Sequence, residues 1–328
     1  MGYNKTIFKR IREDYESRQF AAQAEADARR DELYREIPSL REIDSRLSSF
    51  GLRIMEAALN GGDTDAAIAM LHAENDAIVR ERAKILHEHG YPADYTMPQY
   101  ECATCADTGY VGIRMCSCMR HRLIEASLEA SGLGNLMKEQ SFDNFSLDFY
   151  RANPKEYQIM SRNYNAIRQY AEGFSMAEGK SSPKSLLFVG GTGLGKTHLS
   201  TAVARTVIER GYDVYYNSAV GMISDFEFRR FGAGLAQTDG DDTARYTECD
   251  LLIIDDLGTE VVNQFTVSCL YHVINTRINM GKPTVISTNL TSADIRKIYN
   301  DRIASRLLAE FVVLPFYGTD VRRQKIAG

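Results

Sequence analysis

Gly190-Gly191-Thr192-Gly193-Leu194-Gly195-Lys196-Thr197 is the stretch on which the fold turns. It satisfies G-x-x-x-x-G-K-[ST] at every fixed position. Its flanks have the matching character. Leu186-Leu187-Phe188-Val189 reads as a buried strand leading in, and His198-Leu199-Ser200-Thr201-Ala202-Val203-Ala204 opens a helix leading out. Glycines let the backbone curl with its N–H groups inward, and together with the helix N-terminus these form an anion cradle. In such a loop Lys196 reaches the β- and γ-phosphates of a nucleotide and Thr197 sets its hydroxyl on Mg²⁺. A glycine-rich turn with a chance lysine is the plainer reading, but it leaves strand, loop and helix in register unexplained.

Further short apolar runs follow at Asp213–Asn217, Asp250–Asp255, Pro283–Thr288 and Phe311–Pro315, separated by helical stretches. Runs of this kind, bounded by turn residues, predict an α/β domain with a parallel sheet covered on both faces. Asp255 and Asp256 end the run Leu251-Leu252-Ile253-Ile254, where ligands meet the carboxyl ends of parallel strands. Asp255 is the candidate Mg²⁺ residue and Asp256 the candidate for orienting an attacking water; the plainer reading is two acids in a loop. Asn289 closes the next run, where an amide can bond the γ-phosphate or the water, or simply cap the helix that follows. Arg302 and Arg306 lie four apart on one helix face. They make either surface ion pairs or a trans-acting arginine finger, which needs an oligomer or a partner ATPase. In Phe226-Glu227-Phe228-Arg229-Arg230-Phe231, bases can stack on aromatics while arginines track a nucleic-acid backbone. The alternative is a helix with Phe228 or Phe231 in the core and its arginines in water.

Upstream the pattern is helical. Leu33, Leu40, Leu47 and Ile54 recur at seven-residue spacing within 8–60, with Pro38 predicting a kink or restart. Asn60-Gly61-Gly62-Asp63 breaks the pattern, and a second helix is expected from Thr64 to His89. The two read as an antiparallel hairpin, self-packed or offered to a protein partner. Between them and the sheet region sits Cys102-x-x-Cys105, ten residues, then Cys116-x-Cys118. Four thiolates suit a closed tetrahedral Zn²⁺ site, with His121 in reserve; an iron–sulfur cluster or free thiols are the alternatives. The organisation expected is therefore 1–98, a helical partner-binding arm; 99–140, a cysteine-rich island and helical connector; and 141–328, the α/β domain. Composition agrees with a soluble chain. It has 328 residues, 25% of them charged, a formal net charge of −5 and no apolar run of membrane length, and the polar first residues lead us to expect no secretory leader.

The motifs in this order resemble the AAA+ ATPases, and more narrowly the DnaC/DnaI-type bacterial helicase loaders and the related IstB transposition ATPases. The resemblance is carried by Gly190–Thr197, Asp250–Gly258, Pro283–Leu290 and Asp301–Leu307, with Gly90-Tyr91-Pro92, Tyr100–Tyr110 and Ser141–Phe145 upstream. It implies a five-stranded parallel sheet of order 5-1-4-3-2, with ATP at a subunit edge. Lys196 and Thr197 would serve phosphate and Mg²⁺, Asp255 the metal and Asn289 as sensor. Arg306 would be the finger, ahead of Arg302. It further implies a cytoplasmic protein without membrane association that works with a replicative helicase, single-stranded DNA and neighbouring copies of itself. An IstB-like helper acting on duplex DNA, or a nucleotide-gated adaptor with negligible turnover, are the other readings. Two departures stand out. Asp256 occupies a place where many AAA+ enzymes carry Glu, and the residues after Pro315 are too few for a full helical lid. Arg322 or Arg323 is then the available substitute for the lid's arginine. Both departures imply slow hydrolysis.

Overall fold

The computed structural model describes residues 3–59, 64–134, 139–176, 183–231 and 242–327. The chain divides into two compact units, Arg12–Met119 and Met1–Ile11 with Arg120–Gly328.

The first unit is built on α1 (Lys5–Glu36), α2 (Pro38–Ser48), α3 (Phe50–Leu59) and α4 (Thr64–Glu88). The helical stretch expected over 8–60, with a kink or restart at Pro38, is thus three helices, the restart falling at Pro38 as expected. Pro38 opens α2, where its missing N–H is no loss, and a second break falls at Ser49, whose N–H bonds Ser45 O at 3.2 Å. The Asn60–Asp63 break lies outside the described residues. Ion pairs Asp44–Arg82 (2.6 Å), Arg46–Glu81 (3.7 Å) and Arg53–Glu74 (2.7 Å) show α2–α3 running antiparallel to α4. Leu33, Ile37, Leu40 and Leu86 form the buried core, flanked by Tyr34, Ile85, Tyr91 and Tyr95. Leu52, Met55 and Leu59 stay exposed on α3. A two-stranded hairpin, β1 (Tyr110–Val111) and β2 (Arg114–Met115), precedes α5 (Ser117–Ala130).

The second unit carries α6 (Pro154–Gly173), β3 (Ser185–Val189), α7 (Lys196–Glu209), β4 (Val214–Ser218), α8 (Ala219–Phe231), α9 (Asp242–Glu248), β5 (Leu251–Leu257), α10 (Gln264–Asn279), β6 (Thr284–Thr288), α11 (Ser292–Tyr299), α12 (Asp301–Glu310), β7 (Phe311–Pro315) and α13 (Val321–Ala327). The sheet is wholly parallel, in the order β4-β5-β6-β3-β7. Numbered by appearance and read from the other edge, this is the expected 5-1-4-3-2. Side-chain alternation sorts the strands onto two cores. Phe188, Ile253 and Val285 face α6 and α7 with Leu199 and Val203. Leu187, Ile254 and Ile286 face α8, α10 and α12 with Met222, Val273 and Leu307. Burial on both faces explains why the inner strands β3, β5 and β6 read as continuous apolar runs, whereas the edge strand β7 leaves Val312 and Val313 exposed. Arg277 of α10 is fully buried and binds the entry ends of β5 and β6, donating to Asp250 O, Pro283 O and Thr284 Oγ1. Among the described residues α13 is the one element after β7, and no helix is long and apolar enough to cross a membrane.

Candidate nucleotide site and cysteine cluster

The loop Gly190–Gly195 joins β3 to α7, and two of its glycines hold left-handed backbone, Gly193 at φ 72° and Gly195 at φ 81°. Side chains are excluded there for steric reasons as well. A Cβ on Gly193 would lie 2.0 Å from Asp320 Oδ1, and one on Gly195 would lie 2.7 Å from Phe145 Cε2. The loop is held from outside by Val321 N–H to Gly193 O (3.0 Å), Phe316 N–H to Val189 O (2.7 Å) and Tyr150 OH to Leu194 O (2.9 Å). Lys196 is 5% exposed and donates to Gly190 O (2.8 Å) and Gly191 O (2.7 Å). Burial pushes its ammonium below the usual lysine range, against the pull of Asp256 and Asp255.

Thr197 and Asp255 meet: Thr197 Oγ1 donates to Asp255 Oδ2 at 2.8 Å. Asp255 is also bonded by Tyr216 OH on Oδ2 (2.6 Å) and by Ser287 Oγ on Oδ1. Asp256 sits at φ 53°, and its N–H donates to Ser287 Oγ at 2.9 Å. Its carboxyl is raised from the ordinary aspartate value by burial first, then by Asp255. A threonine hydroxyl, an acid and a buried ammonium within one cleft fit a magnesium-bound triphosphate. The hydroxyl that donates to Asp255 keeps its lone pairs for a cation.

Asn289 is exposed at the carboxyl end of β6, and the cap of α11 is Thr291, paired reciprocally with Asp294. Arg302 and Arg306 lie on α12. Arg302 is exposed, while Arg306 donates to Tyr271 OH at 3.4 Å with its guanidinium 5.5 Å from that ring. Both line an open cavity of about 500 Å³ with Tyr271, Asp301 and Glu310. On α8, Phe226 packs on Tyr246, whereas Phe228 is 65% exposed. Arg229 donates to Thr243 Oγ1 at 2.5 Å, and Arg230 lies 5.1 Å from the Phe265 ring centroid. Phe231 ends α8; its side chain and residues 232–241 lie outside the described residues.

The four sulfur atoms of Cys102, Cys105, Cys116 and Cys118 all lie within 4.8 Å of one another, with Cys102–Cys116 at 3.9 Å and Cys105–Cys118 at 3.5 Å. A tetrahedron of Zn–S bonds near ~2.3 Å has edges of ~3.8 Å, so the thiols fit zinc. His121 is exposed and lies outside this cluster. The turn is built by Asp107, 2% exposed, which accepts from the N–H groups of Glu101 (2.8 Å) and Cys102 (2.9 Å). Backbone donors led by that of Cys105 hold Cys102 down at about 7, while burial pushes Cys118 up to about 12. Thiols this close cannot all ionise without a cation among them.

Tyr216, Ser287 and Arg322 were not marked from the sequence as parts of the nucleotide site, Arg322 appearing only as a possible substitute. The positive charge of Arg322 acts on both Lys196 and Asp256. Ser287 lies two residues before Asn289 and meets the acids only through the pairing of β5 with β6, and nothing local distinguishes Tyr216.

Residues 174–325 match the family model of IstB-like ATP binding proteins. The chain is 23% identical over 207 residues to the replicative helicase loader DnaC of Escherichia coli K12, covering 62% of this chain and 78% of that protein. It is 27% identical over 232 residues to the phage-like element PBSX protein XkdC of Bacillus subtilis 168, covering 66% and 81%. With an insertion-sequence ATP-binding protein of Mycobacterium tuberculosis H37Rv it shares 28% over 176 residues, covering 54% and 60%. A crystal structure of the DnaC helicase loader aligns with 56% of this chain and 99% of its own at 23% identity and a TM-score of 0.46. Over its carboxy-terminal sheet region the chain is similar to IstB-like ATP binding proteins and to the DnaC loader, and its sheet order and phosphate loop agree with a DnaC-type AAA+ core.

Proposed function

We propose that this protein is an ATP-dependent loader of a replicative helicase, acting in the cytoplasm. The observation that carries the reading is the Thr197–Asp255 hydrogen bond of 2.8 Å, which joins phosphate loop and strand tip into one metal-nucleotide pocket. In this reading the Gly190–Gly195 amides and Lys196 bind the β- and γ-phosphates. Bound Mg²⁺ would neutralise phosphate charge, held by Thr197 and Asp255. Asp256 orients a water in line with the γ-phosphorus, and Asn289 senses the γ-phosphate. The water oxygen bonds phosphorus as the bond to the ADP oxygen breaks, and Arg306 of a neighbouring copy, with Arg302 second to it, stabilises the charge. Turnover is slow and rises on assembly with neighbours or the helicase.

The amino-terminal helices grip the helicase, with the exposed Leu52, Met55 and Leu59 as apolar contacts. The four cysteines hold Zn²⁺ and brace that unit. Phe228, Arg229, Arg230 and Phe231 contact single-stranded DNA. ATP holds the loading state and hydrolysis releases the loader. Calorimetry of ATP binding to wild type and Lys196→Ala tests the pocket: wild type binds, and the variant loses affinity at least tenfold. Turnover measured with and without helicase and single-stranded DNA tests the loader role. A second reading, a helper that acts on duplex DNA, goes with the similarity to IstB-like ATP binding proteins. Tight duplex binding without helicase binding would select it.

A further inference from the structure

The pairing of β5 with β6 is interrupted at the site itself. Ile254 pairs with Ile286 and Leu257 with Thr288, so Asp255 and Asp256 together oppose the one residue Ser287. This is a β-bulge, which bends the strand and re-aims side chains. Ser287 is fully buried and serves both acids. Its hydroxyl donates to Asp255 Oδ1 and accepts the Asp256 N–H at 2.9 Å. That second bond sustains the left-handed backbone of Asp256, at φ 53°, which an ordinary side chain adopts only when its surroundings impose it. From the other flank, β4 sends the buried Tyr216 OH to Asp255 Oδ2 at 2.6 Å, the oxygen that also accepts from Thr197.

We propose that Tyr216 and Ser287 are positioning residues with separable tasks. Tyr216 orients Asp255 and, through it, the Thr197 hydroxyl toward the divalent cation. Ser287 additionally aims Asp256 at the attacking water. The assignment rests on the nucleotide reading above. Partners that orient a metal-linked carboxylate typically contribute 10–100-fold to metal affinity.

The test measures affinity for a fluorescent ATP analogue against Mg²⁺ concentration, and separately in EDTA, on the full chain. For Tyr216→Phe the Mg²⁺ midpoint should rise roughly tenfold, with affinity in EDTA unchanged and turnover restored at saturating Mg²⁺. For Ser287→Ala turnover should stay low at saturating Mg²⁺, and Ser287→Thr should recover it. An unmoved midpoint in folded Tyr216→Phe overturns the proposal. So does an equal loss of affinity in EDTA, which would mark a merely structural residue. If Tyr216→Phe does not fold, the decision passes to Ser287→Ala. Turnover low at saturating Mg²⁺ supports the proposal, and normal turnover there overturns it. A wild-type chain that binds no nucleotide defeats the underlying reading; one that binds it with full Mg²⁺ dependence while both variants match it defeats this proposal alone.

Discussion

Replacing Arg277 with methionine should destabilise the parallel-sheet region without touching the proposed nucleotide site. The guanidinium is fully buried. Nε donates to Thr284 Oγ1 (3.0 Å), Nη1 to Tyr246 O (3.2 Å) and Cys249 O (3.0 Å), and Nη2 to Pro283 O (2.7 Å) and Asp250 O (3.3 Å). Tyr246 lies in the last turn of α9, whose final carbonyls have no partner within the helix. Methionine fills much of the volume but donates nothing, so the Tyr246 and Cys249 carbonyls lose this partner in the interior. At ~1–3 kcal/mol for each such group, less the relief of removing a buried charge, the net loss is about 3 kcal/mol. In a domain of this size that is roughly 6–12 °C in melting midpoint. The bonds grip the entry end of β5, and Asp255 lies five residues further on, ~17 Å along the strand. Nucleotide affinity of the folded variant should therefore stay within about threefold. Calorimetry on the transition that nucleotide shifts gives the first quantity, and titration at low temperature the second. A stability change under 1 kcal/mol, or a collapse of affinity with normal stability, would refute the reasoning.

Gly193→Ala should weaken nucleotide binding by roughly tenfold to a hundredfold, from ~1–3 kcal/mol of left-handed strain plus the clash with Asp320; adding Asp320→Ala should recover the steric share, read by titration. In turnover against pH, the acid limb should sit above 3.8 because Asp256 is needed ionised and its burial raises that pKa, and Asp256→Asn should cut turnover at every pH. The alkaline limit on nucleotide affinity should fall below 10.5, since burial makes Lys196 give up its proton sooner. Metal analysis should find one zinc per chain. Its removal by chelator should open the hairpin to protease near Ile113, which is 99% exposed; undisturbed cleavage would tell against a structural metal.

Much of the site could be read in the chain because its chemistry is local. Eight consecutive residues make the phosphate loop, and the apolar run into Asp255 announces a strand tip. Pro38 announced a helix start, but the break at Ser49 had no comparable marker, since serine sits in helices and turns alike. The orientation of α8 was not legible either. Phe226, Phe228 and Phe231 are equally apolar, and only the position of Tyr246 decides that Phe226 turns inward. His121 had the right element and neighbourhood for a ligand, yet it is exposed and outside the sulfur cluster.

The sequence by itself determined the ingredients: a loop that must curl because of its glycines, strands that must be covered on both faces, and four thiols spaced for one cation. Tertiary structure alone decided which distant residues complete the site. Tyr216 reaches Asp255 because β4 pairs with β5 in one register, and Ser287 bridges the two acids because a bulge sets them both against it. Strand order and register are properties of the packed sheet. A hydroxyl thirty-two or thirty-nine residues away becomes a neighbour only once hydrogen bonding between strands has placed it.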